Sequence, residues 1–177
     1  MSDILYPSVD LSIPNLDIKF EPYSHEKENP ELFNLFQKFR EHEEKNANPV
    51  QLSGVWGRSG AGPAPTKGGV EVRGTILTPT FTPPSPSLVT SINYTYDNTH
   101  FGAWSPLYIK LYIYDSVTGV GGVANISGAN TGTIGISGIT ISARCYVYFT
   151  LQVGNVQATL FNPPYISTDN AIVYYSY

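Results

Sequence analysis

The sequence predicts an all-β fold: an antiparallel sandwich, jelly roll or small barrel of about eight strands, with an extended N-terminal arm and one amphipathic α-helix. Three observations carry this. Short runs in which apolar and polar residues alternate recur from residue 70 to the C-terminus, separated by Gly, Pro, Asn and Asp turn signals. No strand–helix–strand alternation and no fixed-period repeat breaks the series. Charge is divided unevenly: residues 1–46 hold 10 acidic and 5 basic side chains, whereas residues 47–177 hold 4 and 5. The division is read as an arm over 1–48 and a β-domain over 49–177.

The arm starts as extended chain. Pro7, Pro14 and Pro22 punctuate it, and Leu16, Ile18 and Phe20 alternate with polar residues. A helix follows over about 30–45. Asn29 suits the N-cap, Pro30 the first helical position, and Glu31 the positive end of the helix dipole. Leu32, Leu35, Phe36 and Phe39 fall on one face, and Glu41 and Lys45 pair on the polar side. Asn46 or Asn48 before Pro49 ends it. The apolar face is a docking surface, either for the protein's own β-domain or for a partner or another subunit.

Residues 50–86 are rich in Gly, Pro, Ser and Thr. They contain one strand, Val70–Leu77, and a proline-rich loop at 78–86. The run Gly57-Arg58-Ser59-Gly60-Ala61-Gly62 reads as a surface loop. It is no P-loop, because Gly68 follows Lys67, and no nucleophile elbow, because Ala61 stands where glycine is needed. Further strands are expected at 89–96, 107–114, 117–126, 131–142 with a bulge at Gly138, 144–153, 156–161 and 171–177. Gly154-Asn155 is read as the hairpin turn between the fifth and sixth of these.

Composition narrows the function. The 177 residues suffice for a core without disulfide or metal staples. A net charge of −4 disfavours a nucleic-acid partner held by phosphate neutralisation, and no polybasic cluster marks a lipid surface. Cys145, the single cysteine, lies in an apolar run and reads as a buried thiol. His25, His42 and His100 are not paired with carboxylates at metal-ligand spacing, so no metal or cofactor is expected. Ser59, His100 and Asp97 have no sequence support as a triad, and Asp97, Asn98 and Asp115 read as turn residues. The N-terminus lacks a basic–apolar signal pattern and no run of 18 apolar residues occurs, so synthesis in a cytoplasm is expected, with incorporation into a virion or later release left open. The uncharged stretch 117–143 resembles strands that form membrane hairpins, but it equally suits ordinary sandwich strands.

Tyrosine is abundant, with 13 residues. Tyr94 and Tyr96 share parity on one strand, and Tyr108, Tyr112 and Tyr114 share parity on the next, with Trp104 in the loop between them. These six residues are the candidate ligand or partner platform, since their rings offer rigid amphipathic contact area.

One family resemblance rests on Gly74-Thr75-Ile76-Leu77-Thr78, Ser91-Ile92-Asn93-Tyr94, Leu107–Tyr114 running into Asp115-Ser116, Gly128-Ala129 and Gly135–Gly138. Their order and spacing resemble the virulence-associated (Vap) surface proteins of Rhodococcus. The resemblance covers roughly residues 70–138 and implies a compact eight-stranded antiparallel barrel without an enzymatic site, acting at host membranes or surfaces. The chain departs from that family by continuing almost forty residues past the Gly-rich segment and by lacking its upstream barrel strands.

The expectation is therefore a non-catalytic interaction or assembly protein, contacting copies of itself or a protein partner through the arm and the Tyr face. A ligand-binding module, with carbohydrate among its ligands, is the second reading. A released virulence factor or toxin acting at membranes is the third.

Overall fold

The computed structural model describes residues 4–5, 18–45 and 49–177. In chain order the elements are β1 (Ile4–Leu5), β2 (Glu21–Pro22), α1 (His25–Glu28), α2 (Pro30–Lys45), β3 (Val55–Ala61), β4 (Val72–Arg73), β5 (Leu88–Tyr96), β6 (Leu107–Asp115), β7 (Gly121–Asn125), β8 (Thr131–Gly135), β9 (Cys145–Val153), β10 (Thr159–Leu160) and β11 (Thr168–Ser176). Two antiparallel sheets form, a four-stranded one ordered β3-β11-β5-β8 and a five-stranded one ordered β2-β7-β6-β9-β4; β1 and β10 pair separately, in parallel. This is a sandwich.

The alternation read in the sequence builds the core between the sheets. On β6, Ile109, Leu111 and Ile113 point inward; on β9, Cys145, Val147, Phe149 and Leu151 do the same. Facing them are Ile92, Tyr94 and Tyr96 of β5, Ile134 of β8, Ala171, Val173 and Tyr175 of β11, and Trp56 of β3. Val89 and Ile92 have opposite parity yet both are buried. A bulge explains this: Tyr174 and Tyr175 of β11 pair with Ser91 and Val89, so Thr90 is an extra residue on β5. The polar tips of the core rings reach loop carbonyls. Trp56 Nε1 donates to Ala143 O at 3.0 Å, Tyr96 Oη to Ile126 O at 2.9 Å and Tyr94 Oη to Ala129 O at 3.0 Å.

The helix α2 spans the predicted residues, and Asn29 Oδ1 caps it by accepting from Leu32 N at 3.3 Å. A one-turn helix, α1, precedes it, capped by Ser24. The predicted stop at Asn46 or Asn48, and the alternation at Leu16, lie outside the described residues.

Five local readings change. The strand expected over Val70–Leu77 is reduced to β4, Val72–Arg73, with Leu77 making a single bridge to Val147. Residues 55–61, expected as loop, form an edge strand paired along its length with β11. Only Trp56 on that strand is buried, so no alternation marks it. Close approach sets Gly60 on the strand and Gly62 just after it: a Cβ at Gly62 would lie 2.4 Å from Ile166, and one at Gly60 would lie 3.0 Å from Thr75 and Leu77. Residues 156–161 do not form a hairpin with β9. The chain at 66–69 takes those bonds instead, with Gly69 N donating to Val153 O, Gly68 N to Ala158 O and Leu160 N to Thr66 O. The strand expected over 131–142 ends at Gly135, and Gly138, at φ 76°, turns the chain rather than bulging a ladder. The strand expected from 117 begins at Gly121, because buried Asp115 folds 117–119 into a turn, its Oδ1 accepting from Val117 N at 2.8 Å and Thr118 N at 3.2 Å.

Candidate functional site

The sandwich has two outer faces, and the sequence treats them oppositely. On the five-stranded sheet, β6 and β9 turn Tyr112, Tyr114, Tyr146 and Tyr148 outward, and α2 covers all four with Leu32, Leu35, Phe36 and Phe39. Phe36 is fully buried and stacks on Tyr114 with ring centroids 4.5 Å apart. Gln37 Nε2 donates to Tyr114 Oη at 2.8 Å, and Tyr112 Oη donates to Glu71 at 2.5 Å. This double cover makes nearly every residue of β9 buried.

His25, absent from the sequence-based candidates, sits at the centre of this layer. It is fully buried, its Nε2 lies 2.8 Å from Tyr148 Oη, and Tyr23, Phe36 and Tyr114 present their rings around it. Burial pushes it down to about 4, so it is neutral near pH 7. Its position just inside a short helix carries no periodic signal, which is why the sequence hides it.

The six-residue platform is divided among four places. Tyr94 and Tyr96 stack on each other inside the core. Tyr112 and Tyr114 lie beneath α2. Tyr108 is half-buried near the end of β6, where its hydroxyl accepts from Asn155 Nδ2 at 3.2 Å. Trp104 packs with Val153 and Leu160, its indole N–H donating to Asn162 O at 3.0 Å. β5 and β6 are consecutive in sequence but belong to different sheets, so shared parity does not put their tyrosines on one surface.

Among the described residues no helix lies over the outer face of the four-stranded sheet. The register assembles three rows across β3, β11, β5 and β8: Ser59–Asn170–Thr95–Thr131, Gly57–Ile172–Asn93–Thr133 and Val55–Tyr174–Ser91–Gly135. None of these twelve positions is charged. At one end the hydroxyls and amides bond to one another: Ser59 Oγ donates to Asn170 Oδ1 at 2.9 Å, Thr133 Oγ1 to Asn93 Oδ1 at 2.7 Å, and the Thr95 and Thr131 hydroxyls lie 3.2 Å apart. A shallow recess of about 270 Å³ lies over Asn93, Thr95, Thr131, Thr133 and Asn170. The other end is apolar. Val55 and Tyr174 are cross-strand partners there, and exposed Leu88 pairs opposite Ser176.

The remaining candidates for chemistry are engaged elsewhere. Asp97 accepts from Ser167 Oγ at 2.5 Å and Thr99 Oγ1 at 2.7 Å, bonds that hold its carboxyl at about 2. His100 Nε2 lies 3.8 Å from the same carboxylate and its ring stacks on Tyr165. Ser59 donates to Asn170, so it is not turned toward His100. Cys145 is fully buried, and that burial raises its thiol well above the ordinary range. Among the described residues no three His, Cys, Asp or Glu are grouped to hold a metal ion, and no helix is long and apolar enough to cross a membrane.

No family model and no curated protein matches the chain. A solved structure described as "Crystal Structure of FLHE" is similar over 72% of this chain and all of its own, with a TM-score of 0.58 and 18% sequence identity. That likeness is one of fold: the same sandwich built from a different sequence.

Proposed function

We propose that this is a non-catalytic interaction protein that associates with a second copy of itself through the outer face of the four-stranded sheet. The observation that carries the reading is the row pattern: twelve outward positions on four strands without one charge, ending in an exposed apolar corner at Val55, Leu88 and Tyr174. The α2 face of Leu32, Leu35, Phe36 and Phe39 packs on the protein's own sheet, which supports another surface as the contact. Charge favours a second copy as the occupant. The helices α1 and α2 carry six Glu against four Lys and Arg and cover the opposite sheet, so apposing two uncharged faces keeps the acidic sides apart.

The face spans roughly 19 Å across four strands and about 20 Å along them, or about 400 Å² per copy, from standard strand spacings. That is about half the contribution of a partner in a standard interface. The association is therefore expected to be concentration-dependent in the micromolar range. Light scattering over a dilution series measures it. Tyr174→Arg and Ile172→Arg, each placing a charge on the two-fold contact, should shift the mass to that of the 19.4 kDa monomer while leaving the unfolding midpoint within about 0.5 kcal/mol of wild type. A monomer at all concentrations, or an oligomer indifferent to both variants, rejects the proposal.

The polar row Ser59–Asn170–Thr95–Thr131 favours a second reading, a neutral polyhydroxylated ligand such as a glycan in the shallow recess. Here Asn93→Ala and Asn170→Ala should abolish oligosaccharide binding on a neutral-glycan array without altering the mass. Intact binding in both variants would count against it.

A further inference from the structure

A second concavity, remote from the face discussed above, opens between the last turns of α2, the proline-rich segment 79–85, the β6–β7 turn and the start of β9; its volume is about 300 Å³. Its floor holds the hydroxyl of Tyr146. That residue is fully buried; its Oη lies beside Glu43 and Ser116, close enough for the Glu43 carboxylate to help burial raise its pKa, but well aligned for a hydrogen bond with neither. The Ser116 hydroxyl is turned away, donating to Arg144 O at 2.6 Å. A buried donor left without a well-aligned acceptor is costly, so the site is incomplete as the chain alone makes it.

Next to it stands Arg144. Its Nε donates to Pro83 O at 3.0 Å, which fixes the guanidinium plane, and no described carboxylate pairs with the terminal nitrogens of the fork. The other arginine of the cleft, Arg40, is engaged, with Nη1 on Val117 O at 3.4 Å and Nε at 3.4 Å from Glu44. The walls are apolar: Phe81, Pro79, Pro83 and the half-exposed Val117. One neutral hydroxyl donor, one oriented and unpaired guanidinium, and an apolar wall beside them make a definite chemical request. Glu43 is the opposing element, a carboxylate at the same floor.

We propose that this cleft binds a small organic carboxylate with an apolar body, its oxygens accepting from Tyr146 Oη and the Arg144 fork and its body lying against Phe81 and the prolines. The site is independent of the self-association proposed above and stands if that fails.

The test is calorimetric titration of the full chain with octanoate and with 3-phenylpropionate, each against its primary amide as the uncharged control. The acids should bind and the amides should not. Arg144→Gln should weaken the acids roughly tenfold, the scale of one lost charge-assisted contact. Tyr146→Phe, which keeps the ring packing, should weaken them several-fold. Glu43→Gln should strengthen them, because it removes the like charge. Unfolding curves of the three variants keep binding loss separate from misfolding, and two-dimensional NMR of the wild type maps the perturbed residues. Equal binding of acids and amides, weaker binding in Glu43→Gln, or no heat and no shift change at millimolar acid overturns the proposal. So does binding of a peptide with a free C-terminal carboxylate while both small acids fail, which would assign the cleft to a protein terminus instead.

Discussion

Replacing Asp169 by Asn should abolish a loss of stability that the protein otherwise suffers as pH rises through neutrality to about 8. Asp169 follows the inward parity of β11, so its carboxyl enters the core between the sheets. It is fully buried and neither oxygen has a hydrogen-bond partner. Burial pushes it from its ordinary 3.8 up to about 8. The folded protein therefore holds a proton that the unfolded chain has released. Between those two values stability falls as pH rises, by up to about 1.4 kcal/mol per pH unit.

His25 acts in the opposite sense. Its folded value is about 4 against an ordinary 6.5, so the unfolded chain takes up a proton first and stability falls as pH drops through that window. In the wild type the two slopes offset each other between about 4 and 6.5, and the net loss shows from about 6.5 to 8. Urea unfolding midpoints across pH, followed by intrinsic fluorescence, resolve the two groups. Asp169→Asn should flatten the alkaline limb and expose the acid limb of His25. His25→Gln, which retains a neutral partner for Tyr148, should expose the full descending slope of Asp169. At the alkaline end Asp169→Asn should be more stable than wild type by about 2 kcal/mol or more, its amide still lacking partners. A profile for Asp169→Asn that runs parallel to wild type would show that this carboxyl is ionised in the fold.

The other large effect belongs to Phe36. Phe36→Ala should cost about 3–5 kcal/mol, the range for truncating a buried aromatic residue. Phe36 has no exposed surface, stacks on Tyr114 and contacts Tyr146 and Tyr148 at ring-centroid distances of 5.2 and 6.3 Å. Its loss leaves a cavity beneath α2 at the point where the helix is anchored. Phe39, half-buried at the edge of the same layer, should cost clearly less when truncated. Equilibrium unfolding gives the magnitudes, and limited proteolysis gives the location: cleavage in Phe36→Ala should fall first within 30–45. A cost under about 1 kcal/mol would mean that α2 contributes little to the fold.

Some of this molecule was legible before any coordinates. The helix bounds follow from Asn29, Pro30 and the spacing of Leu32, Leu35, Phe36 and Phe39, which are local signals that the helix keeps wherever it docks. The two faces of β6 follow from its alternation of aliphatics and tyrosines. The edge strand β3 is illegible, because five of its seven residues are exposed and only Trp56 reports the core. The hairpin at Gly154-Asn155 was misread for a different reason: a turn residue at φ 58° marks a reversal, but which strand receives the chain depends on the competing segment 66–69.

The sequence by itself determined an all-β core, the two distinct faces of β6 and the amphipathic helix, because side-chain period and capping chemistry act within a few residues. Only the tertiary structure decided which sheet each strand joined. That choice buried Tyr94 and Tyr96, placed Tyr112 and Tyr114 beneath the helix, and set the Ser, Thr and Asn parity of β5, β8 and β11 on the outer face of the other sheet. Strand alternation specifies two sides of a strand; burial is settled by what packs against each side, and those contacts join residues far apart in the chain.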